Sequence, residues 1–165
     1  ALVLDYTYNH LNNNVGYVGQ DDSINAIYMG RRKINTHTLS LNGKYSINHN
    51  MTFNLVTRYY WSYALYNNYY ALQDNGGLMN VTDTVPLDAD RNFNTWNCDL
   101  NFSWWFAPGS QMNILYRNKA FLQQSQNIDE SVKGNLGRVL SSQNLDHIFS
   151  ISIRYFIDYN SLKKN

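Results

Sequence analysis

Apolar and polar residues take turns along most of this chain. Between Thr36 and Ile47, Leu39, Leu41, Tyr45 and Ile47 fall on one side, and Thr38, Ser40, Asn42, Lys44 and Ser46 on the other. The pattern restarts at Met51, where Phe53, Leu55, Tyr59, Trp61, Tyr63 and Leu65 are set against Thr52, Asn54, Arg58 and Ser62. Trp96, Cys98, Leu100, Phe102, Trp104 and Phe106 alternate with Asn97, Asp99, Asn101 and Ser103. Met112, Ile114 and Tyr116 follow, and near the end Phe149, Ile151, Ile153, Tyr155, Ile157 and Tyr159 repeat the motif. Leu2, Leu4, Tyr6 and Tyr8 form a weaker copy at the start. A period of two is that of a β-strand whose two faces meet different surroundings. It predicts six strands, at 1–8, 35–47, 51–66, 94–106, 111–121 and 147–159. The stretch 123–139 lacks alternation, but Gly134 and Gly137 interrupt it, and it is read as loop rather than helix.

The connections between these strands are unequal. "NHN" at 48–50 and "PGS" at 108–110 carry tight-turn chemistry, since Asn and Gly tolerate positive φ and Pro presets a turn. The stretches 9–33, 67–92 and 123–146 predict long loops, against a median connection of ~4–6 residues in compact domains. Short turns at one end and long loops at the other is the layout of an outer-membrane barrel. Runs of ~12–15 residues would span ~28–35 Å of membrane normal at a tilt of ~45°. The expected fold class is therefore all-β, an antiparallel up-and-down transmembrane β-barrel. About six strands fall short of the known minimum of ~8, so the chain reads as the C-terminal part of a larger barrel.

Charges and rings sort in the same way. Lys44, Arg58, Asp99, Arg117, Arg154 and Asp158 fall on the polar side and are expected to face a lumen. Arg58 with Asp99, and Arg117 or Arg154 with Asp158, are candidate lumen pairs. Tyr45, Phe53, Trp104, Phe106 and Tyr155 lie toward the tight turns, and Tyr59, Trp61, Tyr63, Trp96 and Tyr116 toward the long loops. Amphipathic rings at two heights are the expected aromatic girdles. Leu39, Leu41, Leu55, Leu100, Phe102, Ile114 and Ile153 would form the lipid-facing band between them.

Composition explains why a hydropathy average misses this. Of 165 residues only 15% are charged, 15% are aromatic, and mean hydropathy is −0.49. The mean runs over two faces of opposite character. Aromatic richness with a net charge of +1 argues against intrinsic disorder. The same near-neutral balance gives no reason to expect nucleic acid. Cys98 is the only cysteine, which excludes a disulfide framework. The opening "ALVLDYTYNH" has no basic leader and already alternates, as expected of a trimmed or partial chain.

Three longer pieces, "GRRKINTHTLSLNGKYSINHNMTFNLVTRYYWS", "FNTWNCDLNFSWWFAPGSQMNILYRNKA" and "FSISIRYFIDYNSLKK", carry a family resemblance. They resemble the C-terminal end of a Bacteroidota outer-membrane family of unknown function. Its members join an N-terminal, family-nine carbohydrate-binding-like domain to a large C-terminal barrel. The resemblance implies an integral outer-membrane location and brings no catalytic residue with it. The carbohydrate-binding-like part lies outside this sequence. The final alternating strand resembles the aromatic-rich last strand of barrel proteins, although "NSLKKN" continues past Tyr159.

Few residues point to chemistry. His10, His37, His49 and His147 are scattered without metal-ligand spacing, so no metal and no cofactor are expected. Asp21–Asp22 and "LDADRN" are acidic but lack the pattern of a calcium loop. His147 with Ser141 or Ser142 is the one loose nucleophile–base pair. The expectation is an outer-membrane barrel segment with a transport, secretion-associated or structural role and no catalysis. Its partners would be membrane lipid and the remaining strands of the same barrel, or partner outer-membrane proteins. The alternative is a soluble lipocalin-like barrel holding a small apolar ligand, which requires closure on itself.

Overall fold

A computed structural model describes residues 1–84, 87–125, 128, 131–141, 143 and 145–157. Six long strands and one short one form a single antiparallel sheet: β1 (Leu2–Asp21), β2 (Ala26–Ser46), β3 (Met51–Leu72), β4 (Leu78–Asn80), β5 (Arg91–Ala107), β6 (Ser110–Gln124) and β7 (Asp146–Arg154). One helix, α1 (Val132–Leu140), precedes β7. The strands run up and down in the order β1–β2–β3–β5–β6–β7, with β4 added alongside β3. The sheet is not closed into a barrel, and β1 and β7 are its two edges. No described helix is long and apolar enough to cross a membrane.

The strands form where alternation predicts them, but they reach further. The expected loop 9–33 is instead the upper part of a β1–β2 hairpin that turns at residues 22–25. Its sequence hides this because two register shifts, at Leu11/Asn14 and Tyr17/Gly19, break the period. Each shift inserts an extra residue on one strand and moves the following side chains to the other face. Asn13, with φ of 54°, is the residue that absorbs the first. The stretch 67–92 likewise begins as the end of β3 and contains β4. The strand expected at 147–159 ends at Arg154 among the described residues.

Within 123–146 the expected loop contains α1. Ser131 caps it, its Oγ accepting from the Gly134 amide at 3.3 Å. Gly134 and Gly137 do weaken the helix intrinsically, so its stability is tertiary. Leu136 and Val139 are three positions apart and press together onto the sheet.

The tight turns share one end of the sheet, hereafter the turn end. Pro108 and Gly109 link β5 to β6, and Gly109 adopts φ of +72°, a conformation glycine takes without strain. Residues 47–50 link β2 to β3, closed by Ile47 N–H to the Met51 carbonyl at 3.0 Å. The other connections lie at the opposite, far end, where the two longer ones each cover one face of the sheet.

The two covers take different faces. The segment around α1 lies on the face bearing Tyr59, Trp61, Tyr63 and Ala120, where Val139 is fully buried. Leu87, Ala89 and Val81 lie on the other face, against Tyr28, Tyr66 and Tyr69. There Gly30 permits close approach: a Cβ would run into the Tyr66 ring and fall 2.7 Å from Val18. The cover also satisfies the β3 edge between β5 and β4. Tyr66 N–H donates to Asp90 at 2.7 Å, Tyr69 N–H to the Thr82 hydroxyl at 2.9 Å, and Val81 N–H to the Tyr69 carbonyl at 2.9 Å.

Candidate functional site

The strand register assigns every residue of the sheet to a face. Leu4, Leu41, Thr57, Cys98 and Asn118 align across the strands, as do Tyr45, Phe53, Phe102, Ile114 and Ile151. The residues expected to form an apolar band, Leu39, Leu41, Leu55, Leu100, Phe102, Ile114 and Ile153, all lie on this one face. Between the tight turns and Tyr59 no described apolar side chain on it is buried, whereas Asn118, level with Thr57 and Cys98, is. Leu100 is 38% exposed, and at the edges Leu4 and Ile153 are each 65% exposed. Apolar hollows between the side chains complete this surface. One of about 310 Å³ is lined by Phe53, Leu100, Phe102, Ile114, Tyr116 and Phe149. Thr57 and Cys98 interrupt the apolar run and satisfy each other, the hydroxyl donating to Sγ at 3.4 Å.

At Tyr59 the same face changes character. Tyr59 OH donates to Asn94 and Trp61 Nε1 to Asn92, both at 2.7 Å. Asn92 and Asn94 in turn donate to Asn135 Oδ1 on α1, at 2.7 and 3.3 Å. Asn135 Nδ2 donates to the Ser131 carbonyl at 2.9 Å. Asn92, Asn94 and Asn135 are each 0% exposed, and such amides are stable in a dry site because partners meet their donors and acceptors. Gln124 joins them by accepting from Asn92 and from Arg138, each at 3.1 Å.

Rings continue this belt to both edges. Trp61 stacks on His37 at 4.5 Å and on Tyr63 at 4.9 Å. Tyr6 OH pairs with His37 Nδ1 at 2.8 Å, while Asn35 Oδ1 accepts from Tyr8 OH at 2.8 Å and pairs with His10 Nδ1 at 2.6 Å. Toward β7, Trp96 donates to Asn118 at 2.8 Å and Tyr116 OH pairs with His147 Nδ1 at 2.8 Å. The predicted outer rings Tyr59, Trp61, Tyr63, Trp96 and Tyr116 are thus brought together on one face. Tyr59 and Trp61 do not look outward, however, because α1 and its flanking residues bury them. Toward the tight turns Phe53 packs on Phe102 at 4.8 Å, and Phe106 lies near Trp104 and Tyr155 at 5.7 and 6.3 Å. Tyr45 is exposed opposite Phe53.

The opposite face carries the charges. Lys44, Arg58, Asp99, Arg117 and Arg154 all project from it, while Asp158 lies outside the described residues. The expected Arg58–Asp99 pair is not formed. Asp99 stands directly opposite Arg117 and accepts two bonds from it, at 2.7 and 2.6 Å, whereas Arg58 faces Ser40 and Asn97. Direct cross-strand opposition outcompetes the diagonal that Arg58 would need. Thr36 with Ser62 and Ser103 with Asn113 add polar cross-strand contacts, at 2.9 and 2.8 Å. This face also holds an edge-to-face trio of Tyr60, Phe93 and Phe121, which alternation assigns to the polar side and does not single out.

The loose chemical candidates come apart. His147 is engaged by Tyr116 and by Asn118, and the Ser141 hydroxyl donates to the Arg138 carbonyl. Ser142 lies outside the described residues. Among the described residues no group of three or more His, Cys, Asp or Glu gathers as metal ligands. Asp21 instead holds the β1–β2 turn. Its carboxylate accepts from the Ser23 hydroxyl and amide, which keep it below the usual carboxylate range. The Asn network and the α1 cover were missed in the sequence. Their signal is the polar Asn92 and Asn94 at positions where the alternation predicts apolar side chains.

One protein-family model matches the chain, over residues 1–165, and its description is Domain of unknown function (DUF5916). No curated protein and no solved structure matches it.

Proposed function

The chain belongs to that family of unknown function, and we propose that it is a segment of an integral outer-membrane β-barrel of Bacteroidota type. Its role is transport, secretion or structure rather than catalysis. One observation carries this reading: an apolar surface on the turn half of one face of the sheet that no described residue covers. A soluble fold buries such a surface against another layer. Uncovered side chains on β3 run from Met51 to Thr57, ~20 Å of strand or ~15 Å along the membrane normal at a barrel tilt of ~40°. The ring belt that begins at Tyr59 continues this surface toward the ~25 Å height of the apolar band in known membrane barrels. The belt of Tyr, Trp, His and Asn then stands at the interface, and the Asp99–Arg117 side faces a lumen.

In lipid an unpaired strand edge costs several kcal/mol for each unsatisfied backbone group. The edges at β1 and β7 are therefore joined, on this reading, to further strands of the same barrel or to a partner barrel protein. The lipocalin-like alternative requires a closed sheet, and these strands form an open one.

The test is a pair of substitutions on β5 in the full-length protein. Leu100→Arg on the apolar face is expected to cost ~2–4 kcal/mol of unfolding free energy in lipid vesicles. Asn97→Arg on the charged face is expected to cost less than ~1 kcal/mol. The unsubstituted protein should fractionate with the outer membrane and migrate faster in gels before heating than after. Equal costs at the two positions, or recovery in the soluble fraction, rejects the reading.

A further inference from the structure

Beyond the ring belt the apolar face becomes cationic. Arg31 and Lys33 project from it, aligned with Val15 and Asn68, and with Leu65. The Arg31 guanidinium lies 5.5 Å over the Tyr70 ring, and Arg31 is exposed. The helix that covers this face adds Lys133, which is exposed. Asp5, Asp21, Asp99 and Asp146, the four acids within the described strands, all project from the opposite face, and α1 contains none. Among the described residues, the strands and helix therefore place only cations on the far part of the apolar face.

Read along one face, the order is uncovered apolar side chains, then amphipathic rings, then positive charge. A bilayer presents hydrocarbon, an interfacial layer and phosphates in that same order. Arg31 is also suited to the phosphate level, since its planar fork makes two parallel bonds to an anionic oxygen pair.

We propose that the exposed Arg31 and Lys133 form part of a rim that binds the phosphates of negatively charged lipid headgroups around the far end of the barrel. The inference rests on the barrel reading and gives it a lipid preference. The source of the phosphate is the membrane rather than the surrounding solution, because the rim continues the surface assigned to acyl chains.

The experiment uses the full-length protein in non-ionic detergent, titrated with phosphatidylglycerol, with phosphatidylcholine or with inorganic phosphate. The melting temperature is read in each case. Phosphatidylglycerol should raise it in a saturable way, and the other two should leave it within error. The double variant Arg31→Gln, Lys133→Gln should need about ten-fold more phosphatidylglycerol for half the shift, with an unchanged melting temperature in plain detergent. Equal shifts with phosphatidylcholine, a full shift with inorganic phosphate, or an unaltered titration in the double variant would each overturn the lipid rim. Heat-modifiable gel migration is scored on the same samples. If it persists while the lipid preference fails, only the rim is lost; if it is absent, the barrel reading and the rim fall together.

Discussion

The two halves of the apolar face are built from similar residues and solve different problems. Near the tight turns, Phe53, Leu55, Leu100, Phe102 and Ile114 touch one another side by side and leave their outer surface uncovered. Near the far end, Tyr59, Trp61 and Tyr63 are roofed by the chain itself, through Val139, Leu136 and the Asn135 clamp. The first half depends on its surroundings for burial, whereas the second carries its own. A single alternating pattern thus contains one region that the chain covers and one that its described residues leave open.

Trp61→Ala should make the largest difference between the halves. Trp61 is fully buried, stacked on two rings and bonded to Asn92, so its loss should cost ~3–5 kcal/mol. The cost should be the same in detergent and in lipid, because the cover is internal. Phe102→Ala should cost less, and by an amount that changes with the surrounding amphiphile. Chemical unfolding in both media measures this, and equal, medium-independent losses would erase the distinction.

Asn135→Leu should have the next largest effect. It removes the acceptor used by Asn92 and Asn94, and stranded buried donors cost ~1–3 kcal/mol. The loss should be local, read as faster proteolysis around α1 with unchanged protection of β5 and β6. Unchanged cleavage would mean that the apolar contacts alone hold the helix down.

Gly109→Ala probes the other half at its stiffest point. At φ of +72° an alanine is strained, and its Cβ would approach Phe156 to 2.9 Å. A loss of ~1–2 kcal/mol is expected, with no change in proteolysis near α1. A neutral result would show that this turn relaxes freely.

The smallest effect concerns the cover on the charged face. Burial raises the Tyr69 phenol above its ordinary value, and Asp90 and Asp88 add to the shift, while the Ala89 amide opposes it by donating at 3.1 Å. Because the folded state favours the neutral phenol, its contribution is full below pH 10 and is lost as pH rises through the raised value. Protection of the Ala89 amide, taken relative to the intrinsic base-catalysed exchange rate, should therefore fall above pH 10 before that of β2 and β3. Protection that stays constant until global unfolding would show that the phenol does not hold this cover.

Much of this architecture is legible in the alternation. The period of two in Met51–Leu65 and Trp96–Phe106 determines both the strands and the face each side chain takes, because only one register keeps the apolar set together. Pro108–Gly109 and the Asn-rich 48–50 stretch mark the tight turns by backbone preference alone. What hides the rest is interruption of the period. Register shifts at Leu11/Asn14 and Tyr17/Gly19 make the upper hairpin look like loop. Gly134 and Gly137 hide a helix that exists through its packing. Ion-pair partners were not legible either, since Asp99 chooses Arg117 by direct opposition in the ladder.

The sequence by itself determined that this chain is a two-faced antiparallel sheet, because local alternation and turn chemistry suffice to specify strands and faces. Only the tertiary structure decided which part of the apolar face is covered and which is left open. Cover comes from α1 and from the 78–90 segment. Contacts between residues so distant along the chain are set by the meeting of surfaces, which no local pattern records.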